Sequence, residues 1–147
     1  MQKYKENRVQ AMGDWLTSRD WNYYGTFTTG YELTLASSRR AMHRIHDSLD
    51  RIAPCEMFWA AEPFDVKEGY HTHALLKVHE AIPYKVMVDL WQKVSKGGKG
   101  KWNRIDLQEY DSERGAGYYL GKYITKGLSD YDFLSSGSSR GYMSNRK

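Results

Sequence analysis

Between residues 37 and 52 the apolar side chains Ala41/Met42, Ile45, Leu49 and Ile52 recur at helical spacing, and Pro54 closes the run. Arg39, Arg40, Arg44 and Arg51 lie largely off that face. Ser37 or Ser38 is expected to cap the start. The period then changes. Residues 56–62 (EMFWAAE) and 71–79 (HTHALLKVH) read as strands, joined by a turn over 63–70 that contains Gly69. A one-sided helix followed by a hairpin buries its apolar face by lying on an antiparallel sheet.

The rest of the chain fits that plan. Val9, Met12 and Leu16 suggest a first helix over residues 5–16, and residues 22–29 (NYYGTFTT) read as a strand. Pro83 sits where a further helix would begin, ahead of Val86, Val88, Leu90, Trp91 and Val94. Residues 96–101 (KGGKGK) form a basic loop, 102–110 alternate as a strand, and 115–126 (GAGYYLGKYITK) read as a helix. After Gly127 the Ser/Gly-rich stretch 127–147 is expected to be a loose tail. The expected fold is α+β: one domain over 1–147, with a mainly antiparallel central sheet of about five strands flanked by helices. Four of those strands are legible.

Composition narrows the function classes. No apolar run is long enough for a transmembrane helix, and the polar stretch 1–10 is not a secretory signal. Cys55 is the only cysteine, which precludes an internal disulfide and suits a reducing cytoplasm. Its expected place is a core or loop position. The net charge is +4, but it is uneven: residues 1–90 hold 11 Lys/Arg against 12 Asp/Glu, and residues 91–147 hold 11 against 6. A basic C-terminal part suits a phosphate-bearing partner. The 12 Tyr and 5 Trp could supply stacking surfaces for unpaired bases or simply fill a small core.

Three elements carry chemistry. His71 and His73 are two apart in a strand, on one face, with Cα atoms roughly 6.5 Å apart, so their imidazoles could share a metal. Glu62 lies nine residues earlier, at the end of the preceding strand. In an antiparallel hairpin it faces the start of the His strand. Two His and one carboxylate suit Mn2+ or Mg2+, with positions left for water or a phosphate oxygen. Tyr119 and Tyr123 are one helical turn apart, as are Lys122 and Lys126 on an adjacent face. A phenol with an ordinary pKa of about 10 attacks well only beside a cation or metal. A lysine there could offset charge developing in the transition state. His43 and His46 form a second His pair, three apart on a helix, but without a carboxylate they are expected at the surface.

Singly, each element is common in proteins with no such role. Together, in this order, they resemble the Rep family of HUH endonucleases, the rolling-circle replication initiators. His71 and His73 match the HUH motif. Thr72 stands where a bulky apolar residue is usual, and Ala74-Leu75-Leu76 keeps the family's apolar strand. Glu62 matches the upstream acidic ligand. Thr26-Phe27-Thr28-Thr29 looks like the first motif. Residues 119–126 are similar to the paired-tyrosine motif of phage gene A type initiators. The resemblance runs from about Tyr24 to Lys126.

The resemblance implies a nickase that cuts single-stranded DNA at a replication origin. His71, His73 and Glu62 would be the metal ligands. Tyr119 or Tyr123 would be the nucleophile, with Tyr119 placed first because it begins the Y-x-x-K pattern. Lys122 and Lys126 would assist. The products would be a 5′-phosphotyrosine and a free 3′-OH for a host polymerase. No Walker-type loop is present, so unwinding is expected from a host helicase. Lys96, Lys99, Lys101 and Arg104 would grip phosphates, and Trp102 and Tyr110 would stack on bases. The rivals are an HUH transposase, a relaxase and a non-catalytic single-stranded nucleic-acid-binding module. Small transposases usually carry one tyrosine, and relaxases place theirs ahead of the His motif. An RNA-recognition-type module would show an RNP strand motif, which is missing. Cupins need a Glu shortly after the second His, and two-motif phosphoesterases need H-x-[ST] twice.

Overall fold

The structure, a computed structural model, describes residues 11–95, 103–116, 119 and 130–139. In chain order they form helix α1 (residues 11–17), β1 (Tyr23–Thr28), α2 (Leu35–Ile52), β2 (Cys55–Pro63), β3 (Tyr70–Val78), α3 (Tyr84–Val94), β4 (Arg104–Glu109) and β5 (Asp130–Leu134). The strands make one sheet in the order β4-β1-β3-β2-β5, every neighbouring pair antiparallel. The α+β class with about five strands is as the sequence predicts. No helix among the described residues is long and apolar enough to cross a membrane.

The β2–β3 hairpin sets the middle of the sheet. Its turn closes with the Phe64 N–H donating to the Gly69 carbonyl. Gly69 has φ +98°, and a Cβ there would lie 2.7 Å from the Glu32 side chain, so the position takes glycine on two grounds. Helix α2 begins earlier than Ser37 or Ser38. Thr34 is the N-cap, accepting the Ser37 N–H, while the Ser37 hydroxyl accepts the Thr34 N–H. Ser37 is thus the third helical residue of a reciprocal capping box, and Ser38 is buried.

Helices α2 and α3 cover one face of the sheet. Phe27, Met42, Ile45, Leu49, Met57, Trp59, Leu76 and Trp91 form the main core there. Trp91 packs edge-on against Phe27 and donates its indole N–H to the Thr28 carbonyl at 3.0 Å. A smaller cluster of Leu16, Trp21, Tyr24, Phe58, Leu75, Ala116 and Tyr119 lies apart from it, built from strand positions of the opposite parity.

Two expectations need correction. Part of the stretch expected to be loose is a strand: β5 pairs with β2, Met57 opposite Leu134 and Ala61 opposite Asp130. Its aspartates are held by Arg39, which bonds Asp130 at 2.8 Å and Asp132 at 3.0 Å. His43 and His46 are buried, not at the surface. His46 bonds Ser139 Oγ through Nδ1 at 2.7 Å and the Cys55 carbonyl through Nε2 at 2.8 Å. Asp50 accepts the Cys55 and Gly137 N–H groups, each at 2.9 Å. These bonds tie the segment after β5 onto α2 and β2.

Candidate metal centre

Pleating alternates side chains across the sheet. On the central strand β3, Thr72, Ala74 and Leu76 face α2 and α3, so His71, His73 and Leu75 face the other way. The hairpin register puts Glu62 directly opposite His71 and the small Ala60 opposite His73. On the other side of β3, Thr26 stands opposite His73.

Glu62 Oε2 lies 2.9 Å from His71 Nε2 and 3.0 Å from His73 Nε2. One ligand atom from each residue falls within 4.8 Å of the others. The side chains are 14%, 16% and 6% exposed for Glu62, His71 and His73, so the cluster is largely withdrawn from water. A six-coordinate ion with bonds of about 2.1 Å spaces adjacent ligand atoms about 3 Å apart. The Glu–His separations fit that spacing. Glu62, His71 and His73 could hold a metal ion.

The imidazoles are supported from behind. His73 Nδ1 meets the Tyr24 hydroxyl at 2.8 Å and Thr26 Oγ1 at 3.2 Å, and the Tyr24 ring stacks parallel to it. A hydroxyl both donates and accepts, so this pair serves either tautomer of His73. With Nε2 given to a metal, the Nδ1 proton has an acceptor waiting. His71 packs on Phe64, ring centroids 4.5 Å apart, and meets His73 edge-on. Sequence reasoning placed Thr26 in a motif but gave neither hydroxyl this task. Strand parity relating Tyr24 and Thr26 to His73 was the available signal.

Tyr119 sits on the same sheet face. Its ring lies 4.8 Å from Tyr24 and 5.3 Å from Tyr110. It is buried, and its hydroxyl accepts the Asp111 N–H at 2.8 Å. Tyr110 is half-buried and packs on Tyr119. Arg104, at the β4 edge, is exposed, and it pairs with Thr28 at the parity of Thr26 and His73. Lys96, Lys99, Lys101, Trp102, Lys122, Tyr123 and Lys126 lie outside the described residues. Two aromatics not singled out in the sequence, Trp15 and Tyr131, are exposed and pack on Phe133 and Phe58 of the smaller cluster. Cys55 is fully buried in β2, where burial, then Asp50 and Glu56, push its thiol up to about 12. It carries no thiolate at neutral pH.

No protein-family model, curated protein or solved structure matches the chain.

Proposed function

We propose that the protein is a metal-dependent tyrosine endonuclease that nicks single-stranded DNA at a replication origin and keeps the new 5′ end. The observation that carries this reading is the Glu62–His71–His73 cluster. Its Nε2 and carboxylate atoms are at ligand spacing, and Tyr119 packs in the aromatic cluster on the same sheet face. Three ligands of mixed N/O type favour Mn2+ or Mg2+. Such an ion supplies positive charge to polarise the scissile phosphate.

The chain's own residues do the remainder. Glu62 and the two histidines hold the ion, and Tyr24 and Thr26 fix the His73 ring. A tyrosine oxygen bonds to phosphorus, and the bond to the 3′ oxygen breaks. The phenolic proton passes to solvent, and the leaving oxygen takes up a proton as a free 3′-OH. Lys122 and Lys126 offset the charge on the phosphate. We assign the attack to Tyr123. Tyr119 is buried against Tyr24 and Tyr110, and its hydroxyl already serves the Asp111 N–H, so packing is the role its setting favours. The free 3′-OH would be extended by a host polymerase in the cytoplasm, with a host helicase opening the duplex. Lys96, Lys99, Lys101, Trp102 and Arg104 would hold the strand.

The test is covalent capture. Labelled origin DNA is incubated with Mn2+ or with EDTA and run on denaturing protein gels. An SDS-stable, metal-dependent adduct is expected. It should vanish in Tyr123→Phe and His73→Ala and persist in Tyr119→Phe. Adduct lost in Tyr119→Phe and kept in Tyr123→Phe would reverse the assignment. Salt-sensitive binding with no adduct at all would replace the nickase by a non-catalytic single-strand-binding module.

A further inference from the structure

A second polar feature lies across the sheet from the metal centre. A cavity of about 430 Å3 opens between the first half of α2, the end of α3 and the chain entering α2. That volume is in the range of small-ligand sites. Arg40 and Arg44 line it, one helical turn apart, together with Ser37. The Tyr31 ring and the side chains of Leu33 and Val94 complete an apolar wall.

The two arginines differ from the others on this helix. Arg39 is held by Asp130 and Asp132, and Arg51 by Asp47. Among the described residues neither the Arg40 nor the Arg44 side chain has an ion pair or hydrogen bond, yet both are half-buried. Like charges one turn apart repel. An anion between them would remove that repulsion and accept their fork of N–H donors. The competing acceptors nearby are already used. The Ser95 carbonyl accepts the Tyr31 hydroxyl, and the Trp91 carbonyl accepts the Ser95 N–H. Burial raises the pKa of the Tyr31 phenol, and the Arg44 charge acts in the opposite sense. The Arg44 cation is thus near enough to the neutral Tyr31 phenol to act on it.

We propose that this cavity binds a nucleotide phosphate, gripped by Arg40 and Arg44, with the sugar or base against Tyr31 and the apolar wall. The nucleotide could be free or part of a strand, and the two sources are separable. All binding is measured in EDTA with the His73→Ala protein. Nicking is then switched off, and failure of the nickase reading leaves these results standing. The variants are Arg40→Gln/Arg44→Gln and, as a fold-sparing backup, Arg44→Lys. Arg51→Ala serves as a control that removes a charge from the same helix outside the cavity. Circular dichroism checks that each is folded.

With deoxyadenosine monophosphate in a calorimeter, a free-nucleotide site predicts affinity roughly tenfold or more weaker in the double variant and unchanged in Arg51→Ala. With labelled oligothymidylate, a strand site predicts that the slope of log affinity against log salt falls by about 0.7 for the phosphate released. In whichever arm responds, Arg44→Lys should be intermediate, since it keeps the charge and loses the fork. If neither probe distinguishes the double variant from Arg51→Ala, the proposal is wrong and the two arginines are solvated.

Discussion

The two faces of the sheet are built for different ends. The face under α2 and α3 carries the larger apolar core, with Trp59, Trp91, Phe27 and Met42 fully buried. The other face gathers a small aromatic cluster and, beside it, a carboxylate and two imidazoles that are mostly withdrawn from water. Burying polar groups costs stability unless each has a partner. Here Glu62 is met by both imidazoles, and His73 Nδ1 by the two hydroxyls behind it. One face therefore holds the fold together, and the other keeps a polar group of side chains in fixed positions at some cost.

The largest test of that division is Trp91→Ala. It removes a fully buried ring that packs on Phe27 and leaves the Thr28 carbonyl without its indole donor. A loss of about 3–5 kcal/mol is expected in denaturant unfolding. A loss below about 1 kcal/mol would mean that this face is not the main source of stability.

The second test cuts the other face. Glu62→Gln should leave stability in EDTA within about 1 kcal/mol of the parent, because the amide oxygen still accepts from one imidazole. Mn2+ affinity, read by calorimetry, should fall at least about 100-fold. Unchanged Mn2+ binding would remove the metal centre and, with it, the contrast between the faces.

Tyr24→Phe is a finer cut. It keeps the ring stacked on His73 and deletes the hydroxyl at 2.8 Å. Thr26 remains at 3.2 Å as a second support, so Mn2+ affinity should fall by about tenfold, with no change of fold. Tyr24→Phe/Thr26→Val should lose more than either single variant. If both are silent, His73 is positioned by Glu62 and packing alone.

How much of this was legible depends on whether the cause was local. The hairpin register follows from strand parity and one turn, so Glu62 opposite His71 is legible in the sequence. The apolar stripe of α2 was equally plain. The strand β5 was hidden because Asp-Tyr-Asp-Phe-Leu carries two residues poor in strands and sits among Ser and Gly. In the fold it pairs with β2, and Arg39, ninety-odd positions earlier, takes both carboxylates. The burial of His43 and His46 has the same origin. A helix face read in isolation cannot know that a C-terminal strand and Ser139 will cover it. The cavity at Arg40 and Arg44 was out of reach too, since it exists only once α3 has docked beside α2.

The smallest predicted effect separates the faces by pH. His43 is buried on α2, and desolvation, then Arg39, lowers its pKa below the ordinary 6.5, while Asp132 at 3.6 Å and Asp130 pull the other way and His46 adds to the lowering. The unfolded chain therefore binds the His43 proton more readily than the folded one. Its contribution to stability is intact above pH 6.5 and is lost as pH falls below that value towards the folded pKa. For Asp50 burial acts to raise the pKa, but hydrogen bonds from Cys55, Ser136 and Gly137, with His46 adding, outweigh it and lower it, and its contribution disappears only below the ordinary 3.8. Thermal melts in EDTA between pH 8 and pH 5 should show the first loss, and His43→Gln should flatten that part of the profile. The same flattening should appear in the Glu62→Gln background, where the metal centre is already broken. An unflattened profile would place the acid-sensitive group elsewhere. A flattened one means that acid first loosens the covered face, through the same Arg39 cluster that holds β5 in place.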